Sequence, residues 1–345
     1  MRCLALADRL RMQEMDCVFL CRDGLGRLAG LIEAPGHELR IIGPMVEGHN
    51  HEQVWPSEES DEDANLTLGL CGDGDSLLVV DHYSVGDRWL KAVEAKFKEV
   101  LVIDDLANRY LTCDFLLNQT LGCSPVEYDG FVNPATSLLL GSKYALLRSE
   151  FESLREKALN ERYTRSGVKN ILLALGGADP ENNIAQIIHG MADYLRLRSV
   201  KATVVLGHEA PHTKAIQDLA GQKGLCIDLL ENVGNMGELM LKADLAIGAG
   251  GSSSWERACM GLPTILVCLA ENQKLLCSRL EANGAACMGW DVRFEQSPGK
   301  SFHEALERYT ENEEYRRLAI ENCFDITDGI GATRVADQLL TNMKG

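Results

Sequence analysis

The sequence predicts an α/β protein with two parallel sheets, one in each half of the chain. Short apolar runs alternate with amphipathic stretches along most of its 345 residues, and these runs are too short for helices and are bounded by polar residues or glycine. The chain is longer than the roughly 250–300 residues that one hydrophobic core supports, which favours two domains. The charged, helical stretch at 148–167 is the predicted join. We therefore expect domains at 1–150 and 151–345.

The first half begins with a helix, because Leu4, Leu6 and Leu10 recur among alanines in "MRCLALADRL". Strands are predicted at 16–21, 76–81, 99–104 and 114–119. Between the second and third of these strands, "GDRWLKAVEAKF" carries apolar residues at helical spacing. A strand, a helix and a strand in this order form a βαβ unit, so these strands are expected to be parallel.

The second half repeats the pattern more regularly. Strands are predicted at 170–177, 201–207, 225–231, 244–251 and 263–269, and helices at 181–195, 236–243, 253–260 and 271–284. Residues beyond about 300 are helical and polar, and it is left open whether they pack back on the first half. Two doubly wound halves predict a ligand cleft between them, lined by loops at the carboxyl ends of the strands.

Composition limits the class of ligand. A net charge of -17 argues against a broad basic face for nucleic acid or an anionic membrane, so an anionic ligand would be held by backbone amides and helix N-termini. The 12 cysteines contain no CxxC pair and no metal-type spacing, which is typical of reduced, mostly buried thiols in a cytoplasmic protein. No apolar run approaches the roughly 18 residues of a membrane span.

The first candidate ligand loop is "LALGGADPENN". Gly176 and Gly177 directly follow a buried strand, and paired glycines let a backbone approach a phosphate closely. The alternative is structural, with Asp179 capping a helix that has Pro180 at its first position. Both interpretations stay open, and they are compatible.

The second candidate loop is "AIGAGGSSSWERACMGLP". Gly251, Ser252 and Ser253 follow a strand and offer amides and hydroxyls to an anion. Glu256, one turn into the next helix, is well placed to accept hydrogen bonds from a ribose diol. The alternative for this Ser/Glu pair is a capping box. Neither a GxGxxG nor a GxxxxGK[ST] pattern is present, which excludes an ordinary NAD site and a P-loop.

Titratable residues follow two strands of the first half, in "VVDHYS" and "VIDDLANR". Strand ends that face a cleft are where such residues usually act, but the sequence leaves open which of Asp81, Asp104 and Asp105 faces it. The remaining histidines are expected on loops or helix surfaces without a catalytic role, and they are His37, His49, His51, His189, His208, His212 and His303.

Several ordered motifs together carry a resemblance that runs from residue 1 to about residue 340. They are "VVDHY", "VIDDLANR", "CDFLLNQ", "GSKYALLRSEF", "LALGGADPENN", "ADLAIGAGGSSSWERACMGLP" and "AENQ". The sequence resembles the UDP-2,4-diacetamido-2,4,6-trideoxy-β-L-altropyranose hydrolases of pseudaminic acid biosynthesis. That family is similar to the lipid-linked UDP-GlcNAc transferase of peptidoglycan synthesis, which implies the two-domain, Rossmann-like GT-B glycosyltransferase fold.

The resemblance implies a UDP site in the second half, with no cofactor or metal. Tyr83 and Asn272 would lie beside the sugar as catalytic-site residues. The residues implied to bind UDP are Gly176, Gly177 and Asp179 near the diphosphate, Val233 at the uracil edge, Gly251, Ser252 and Ser253 at phosphate, and Glu256 at the ribose.

The implied reaction is inverting hydrolysis, in which water displaces UDP by breaking the C1–O bond of the sugar. In that family, the base or orienting group for the water is a histidine in a GxGHxxRC pattern. Arg2 and Cys3 of this chain match only the end of that pattern. The resemblance therefore implies that the catalytic histidine precedes Met1 and that activity of this chain is impaired. A glycosyltransferase of the same fold and a non-catalytic nucleotide-sugar binding protein remain the alternatives.

Overall fold

A computed structural model describes residues 1–24, 26–44, 53–72, 76–177, 179–207 and 210–343. The chain forms two compact units, which we call unit 1 (Met1–Arg148 and Ile330–Gly345) and unit 2 (Ser149–Gly329). The expected boundary between residues 150 and 151 falls close to this division, but the C-terminal segment belongs to unit 1.

The strands are short and buried in most cases. Within the described ranges they are β1 (Val18–Cys21), β2 (Glu38–Ile41), β3 (Leu77–Val80), β4 (Glu99–Ile103), β5 (Phe115–Asn118), β6 (Ser137–Leu140), β7 (Asn170–Ala174), β8 (Lys201–Leu206), β9 (Cys226–Glu231), β10 (Leu245–Ala249), β11 (Thr264–Cys268) and β12 (Ala286–Asp291).

The helices alternate with these strands. Within the same ranges they are α1 (Arg2–Arg11), α2 (Arg27–Glu33), α3 (Ser57–Leu70), α4 (Asp87–Val93), α5 (Ser149–Arg162), α6 (Asn183–Arg198), α7 (Thr213–Ala220), α8 (Met236–Lys242), α9 (Ser253–Cys259), α10 (Lys274–Asn283), α11 (Lys300–Glu311), α12 (Glu313–Ile326) and α13 (Gly331–Met343).

Unit 1 contains a parallel sheet in the order β3-β4-β5-β6 and a parallel pair, β1-β2. Side chains of β4 alternate between the two faces, as strand geometry requires. Leu101 and Ile103 pack in one core with α1 and α13, whereas Val100 and Val102 pack in another with α4. Because both faces are covered by helices, β4 and β5 are mainly apolar and almost completely buried.

Unit 2 contains a six-stranded parallel sheet in the order β12-β11-β10-β7-β8-β9. The chain starts in the middle at β7, moves outward through β8 and β9, and then returns to lay β10, β11 and β12 on the other side. The reversal lies between β7 and β10, which are adjacent. In open α/β sheets, ligands bind outside the carboxyl ends of the strands at this kind of reversal.

Three strands are missing from the sequence prediction: β2, β6 and β12. The sequence of β2 is "ELRI", in which an exposed glutamate replaces the apolar run that predicts a buried strand. In β12 the sequence "ACMGWD" contains an internal glycine, which lowers strand propensity. The other strands and the α/β class were predicted correctly.

All 12 cysteines lie in the described ranges and are free thiols. Cys226 is exposed, and the others are buried or half-buried. None of the helices in the described part of the chain is both long enough and apolar enough to cross a membrane.

Candidate functional site

The two glycine loops leave the sheet of unit 2 side by side. Ala174 at the end of β7 pairs with Gly248 near the end of β10, so the chain segments that follow both strands emerge at the same edge. Gly176 and Gly177 have φ angles of 73° and 60°, in the left-handed region that favours glycine. Both glycines are exposed. Their backbone is therefore open to close approach by a ligand.

Asp179 caps α6. Its Oδ1 accepts hydrogen bonds of 2.9 Å from both the backbone and the side-chain amide of Asn183, and its Oδ2 accepts one of 2.9 Å from the backbone of Ile184. The carboxylate thus satisfies amides that the first turn of a helix leaves unpaired. The prediction that Pro180 opens this helix is wrong, because α6 begins at Asn183.

A buried arginine lies beneath the serines of the second loop. Arg257 donates from Nη1 to the Ser253 hydroxyl at 2.9 Å, and from Nη2 to the carbonyl of Ala249 at 2.7 Å and the hydroxyl of Ser254 at 2.9 Å. Its guanidinium lies against Gly248, where a Cβ atom would be 2.5 Å from Nη1. Burial lowers the pKa of Arg257 to about 10, a shift opposed by the charge of Glu256.

Arg257 is not among the site residues predicted from the sequence. The spacing of Arg257 could have predicted its contact with the serines. It follows Ser253 by four residues and Ser254 by three, so the three side chains lie on the same face of a helix. A charged residue in a helix is usually solvated, so spacing alone does not predict that this one is buried.

The capping-box alternative for the second loop is not what the structure shows. Ser252 is the residue before α9 and makes no side-chain capping hydrogen bond to any residue in the described ranges. The Ser253 hydroxyl instead accepts from Arg257. Ser252 is exposed, whereas Ser253 and Glu256 are half-buried. The two serine hydroxyls that were predicted to contact phosphate are therefore accessible to different extents.

Val233 and Asn272 lie at the same edge of the unit 2 sheet as the glycine loops. Asn272 is exposed in a 3-10 turn after β11, and its neighbour Gln273 accepts from the backbone of Leu269 at 3.0 Å. Val233 is half-buried after β9. In the sheet, β9 lies two strands from β7, with β8 between them.

In unit 1, Asp81 follows β3 and is held by α1. Arg2 donates to its two carboxylate oxygens at 2.9 and 2.6 Å, and the Cys3 thiol donates to Oδ2 at 3.1 Å. Burial acts to raise the pKa of Asp81, but the hydrogen bonds and charge of Arg2 outweigh it and hold this pKa below its usual range. Asp81 is therefore ionised and paired at neutral pH.

Asp105 and Tyr83 form a second pair beside Arg2. The Tyr83 hydroxyl is hydrogen-bonded to the Asp105 carboxylate, which lies 3.8 Å from Nη1 of Arg2. Burial raises the pKa of Asp105 despite both of these favourable contacts. Burial and the negative charge of Asp105 also raise the pKa of Tyr83, so that its hydroxyl remains protonated.

Asp104 points into the packing of unit 1. Its side chain is buried, and Oδ1 accepts from Nη1 of Arg109 at 2.7 Å. Oδ2 accepts from the backbone of Leu106 and Ala107 at 3.2 and 3.0 Å, and from the hydroxyl of Tyr128 at 3.3 Å. Asp104 is therefore the structural carboxylate of the three, whereas Asp81 and Asp105 gather around Arg2.

His37 lies on a loop, as predicted, but it is buried there. The whole residue is 4% exposed, and its Nε2 lies 2.8 Å from Oδ1 of Asp8. His212 and His303 contact backbone carbonyls within unit 2. The predictions for His49, His51 and His208 lie outside the described residues.

One family model and several curated proteins match parts of the chain. Residues 171–322 match the model of the glycosyltransferase family 28 C-terminal domain. The chain is 30% identical over 157 residues to the spore coat polysaccharide biosynthesis protein SpsG of Bacillus subtilis, covering 45% of this chain and 44% of SpsG. It is 26% identical over 204 residues to MJ1062 of Methanocaldococcus jannaschii, covering 57% of this chain and 41% of MJ1062. The matches therefore span less than half of these two relatives.

A further relative carries an enzymatic name. The chain is 24% identical over 210 residues to the UDP-2,4-diacetamido-2,4,6-trideoxy-β-L-altropyranose hydrolase of Campylobacter jejuni, with 60% of this chain and 72% of the hydrolase covered.

Solved structures match nearly the whole chain at low identity. MurG of Acinetobacter baumannii has a TM-score of 0.63 at 16% identity, covering 99% of this chain and 95% of MurG. The UDP-GlcNAc 2-epimerase of Neisseria meningitidis, solved with UDP-GlcNAc, has a TM-score of 0.65 at 14% identity, covering 99% of this chain and 98% of the epimerase. These likenesses confirm the predicted fold class, two Rossmann-like domains of the GT-B type.

Proposed function

We propose that this protein binds the UDP group of a nucleotide sugar at the carboxyl edge of the unit 2 sheet. The observation that carries the proposal is the pair of adjacent loops after β7 and β10, one with two exposed left-handed glycines and the other with serine hydroxyls. Backbone amides and hydroxyls in such loops are suited to a diphosphate. The family match over residues 171–322 lies on the same unit.

Within this site, each predicted residue has a distinct role. Gly176, Gly177 and Gly251 let the backbone approach the diphosphate, and Ser252 and Ser253 donate to it. Glu256 accepts from the two ribose hydroxyls, and the backbone of Val233 contacts the uracil edge. Asp179 acts on the loop indirectly, because its carboxylate is engaged by α6.

We further propose hydrolysis of UDP-2,4-diacetamido-2,4,6-trideoxy-β-L-altropyranose, in which water attacks C1 and releases one proton to solvent, and UDP leaves with the electrons of the C1–O bond. The resemblance of the motifs and the Campylobacter jejuni relative support this substrate. A diphosphate held by amides and hydroxyls is a good leaving group, because its developing charge is stabilised before the bond breaks. Tyr83 and Asn272 are the residues proposed to contact the sugar.

Nucleotide binding is tested by calorimetry with UDP and 2′-deoxy-UDP. Because Glu256 is proposed to accept from the ribose hydroxyls, the wild type should prefer UDP and Glu256→Gln should lose most of that preference. We expect Glu256→Gln to bind UDP about tenfold more weakly than the wild type, which corresponds to the free energy of one hydrogen bond to a charged group. Glu307→Gln, an exposed change in α11 of the same unit, is the matched control. Absence of UDP binding by the wild type contradicts the proposal.

Hydrolysis is tested separately, by UDP release from the altropyranose substrate in water labelled with oxygen-18. Label in the sugar product and unlabelled UDP indicate cleavage of the C1–O bond. UDP binding without release contradicts the proposed reaction but leaves the binding site intact.

A transferase is the second candidate, since residues 171–322 match a glycosyltransferase domain. In that case the same UDP site serves a sugar acceptor in place of water. Product analysis with and without candidate acceptors separates the two reactions, because only transfer requires the acceptor.

A further inference from the structure

Arg257 is buried and contacts Ser253, one of the two serines that the proposed function assigns to phosphate. Its guanidinium donates three hydrogen bonds, to the Ser253 hydroxyl, the Ser254 hydroxyl and the Ala249 carbonyl. Its Nε atom is buried and has no hydrogen-bond partner among the described residues. A cation in such a place costs desolvation energy, which its hydrogen bonds must offset, so the partners of this arginine decide its role.

The direction of these hydrogen bonds determines where the Ser253 proton points. A serine hydroxyl has one donor hydrogen and two acceptor lone pairs. Because Nη1 of Arg257 occupies one lone pair of Ser253 at 2.9 Å, the hydroxyl hydrogen must point away from the guanidinium. Ser253 is half-buried, whereas Ser254 is 4% exposed. Ser253 is thus the hydroxyl that Arg257 can aim at a ligand.

A second buried arginine in unit 2 provides a comparison within the same protein. Arg162 is 3% exposed, and burial lowers its pKa to about 10, as it does for Arg257. Arg162, however, donates only to backbone carbonyls, those of Met240, Ala243 and Met260. These carbonyls belong to the ends of α8 and α9 and to the segment before β10. Arg162 therefore joins backbone segments, whereas Arg257 orients side chains.

We propose that Arg257 is a positioning residue of the UDP site, which holds the Ser253 hydroxyl as a donor toward the diphosphate and places a fixed positive charge behind it. This inference rests on the proposed UDP site and adds a residue to it. The net charge of -17 makes such a local cation useful, because the overall field of the protein repels a diphosphate. Arg257 should therefore affect binding of the diphosphate group and not binding of the nucleoside.

The experiment compares UDP with uridine as ligands, by calorimetry for UDP and by ligand-observed NMR for uridine. Arg257→Met should weaken UDP binding about tenfold to a hundredfold, as expected for charge-assisted contacts, and leave uridine binding unchanged. Arg257→Lys retains the charge and should restore part of the UDP affinity. Arg162→Met is the matched control, which should lower the melting temperature without altering UDP affinity.

A double-mutant cycle tests the route through Ser253. If Arg257 acts by orienting that hydroxyl, Ser253→Ala and Arg257→Met should together weaken UDP binding by less than the product of their separate fold-changes. Should Arg257→Met not fold, Gly248→Ala displaces the guanidinium while keeping the arginine, since the added Cβ would lie 2.5 Å from Nη1. We expect Gly248→Ala to weaken UDP binding as well.

Two results overturn the inference while leaving the UDP site standing. One is wild-type UDP affinity in folded Arg257→Met or in Ser253→Ala. The other is an equal loss of UDP and uridine binding in Arg257→Met, which indicates a purely structural role. Failure of the wild-type protein to bind UDP overturns the proposed function itself, and this inference with it.

Discussion

The carboxyl ends of the parallel strands differ in chemistry between the two units. In unit 1, β3 and β4 end in Asp81, Asp104 and Asp105, three carboxylates with different partners. In unit 2, the loops after β7 and β10 contain glycines and serines, and the ionised group beneath the second loop is a buried arginine.

This difference separates two kinds of electrostatics. The amides and hydroxyls of the unit 2 loops are neutral dipoles whose charge does not change with pH, and Arg257 remains protonated at neutral pH because its lowered pKa is still about 10. In unit 1, the environments of Asp81 and Asp105 move the pKa values of these two carboxylates in opposite directions. Fixed dipoles suit anion binding, whereas perturbed carboxylates are typical of sites where protons move.

The largest effect on stability is expected for Asp104→Ala in unit 1. Removing this carboxylate leaves the half-buried Arg109 without its ion-pair partner and leaves two backbone amides without their acceptor. Breaking one side of a buried ion pair costs about 3–5 kcal/mol, so the free energy of unfolding in urea should fall by that amount. If the two units divide their roles as described, UDP affinity should not change. A loss below about 1 kcal/mol would contradict the structural role.

Asp179→Ala should have an intermediate effect. The change removes the cap of α6, which costs about 1–2 kcal/mol. Asp179→Asn keeps a side-chain oxygen as acceptor, so it should cost less. Because the carboxylate is engaged by α6, removing its charge should leave UDP affinity equal to or above that of the wild type. A marked loss of UDP binding in Asp179→Asn would show that Asp179 contacts the ligand directly.

The smallest effects are expected for Asp81→Asn and Asp105→Asn, and their dependence on pH should have opposite signs. The folded-state pKa of Asp81 is lowered, so its contribution to stability is present at neutral pH and is lost as pH falls. The folded-state pKa of Asp105 is raised, so its contribution is present at low pH and is lost as pH rises through that pKa.

Urea unfolding of both variants between about pH 3 and about pH 7 measures this difference, which should amount to about 1 kcal/mol or less because both side chains are partly exposed. Relative to the wild type, Asp105→Asn should gain stability as pH rises, and Asp81→Asn should lose it. The same sign in both variants would contradict the assignment of partners around Arg2.

The sequence is informative where local patterns decide the structure. The alternation of apolar runs and amphipathic helices predicts the class, and Gly176 and Gly177 after a buried strand predict a ligand loop. Asp179 before α6 was correctly considered as a cap, although the helix begins later than predicted. Each of these features depends on neighbours within a few residues.

Other features depend on contacts that no local pattern encodes. Side chains alternate between the two faces of a sheet only within a strand, and β4 ends at Ile103. The sequence therefore does not tell which of Asp104 and Asp105 turns inward. Arg257 is buried because Gly248, nine residues earlier, leaves room for its guanidinium against the sheet. His37 is buried because its ring pairs with Asp8 from α1 and packs near Phe19 of β1.

The contact between Gly248 and Arg257 also limits how this loop can evolve. A side chain at position 248 would occupy the space of the guanidinium, since its Cβ would lie 2.5 Å from Nη1. Relatives that keep an arginine at 257 should therefore keep glycine at 248, whereas relatives with a shorter residue at 257 are free to carry alanine or a larger residue there. The two positions should therefore covary. Glycine at 248 should be replaced only in relatives that no longer have arginine at 257.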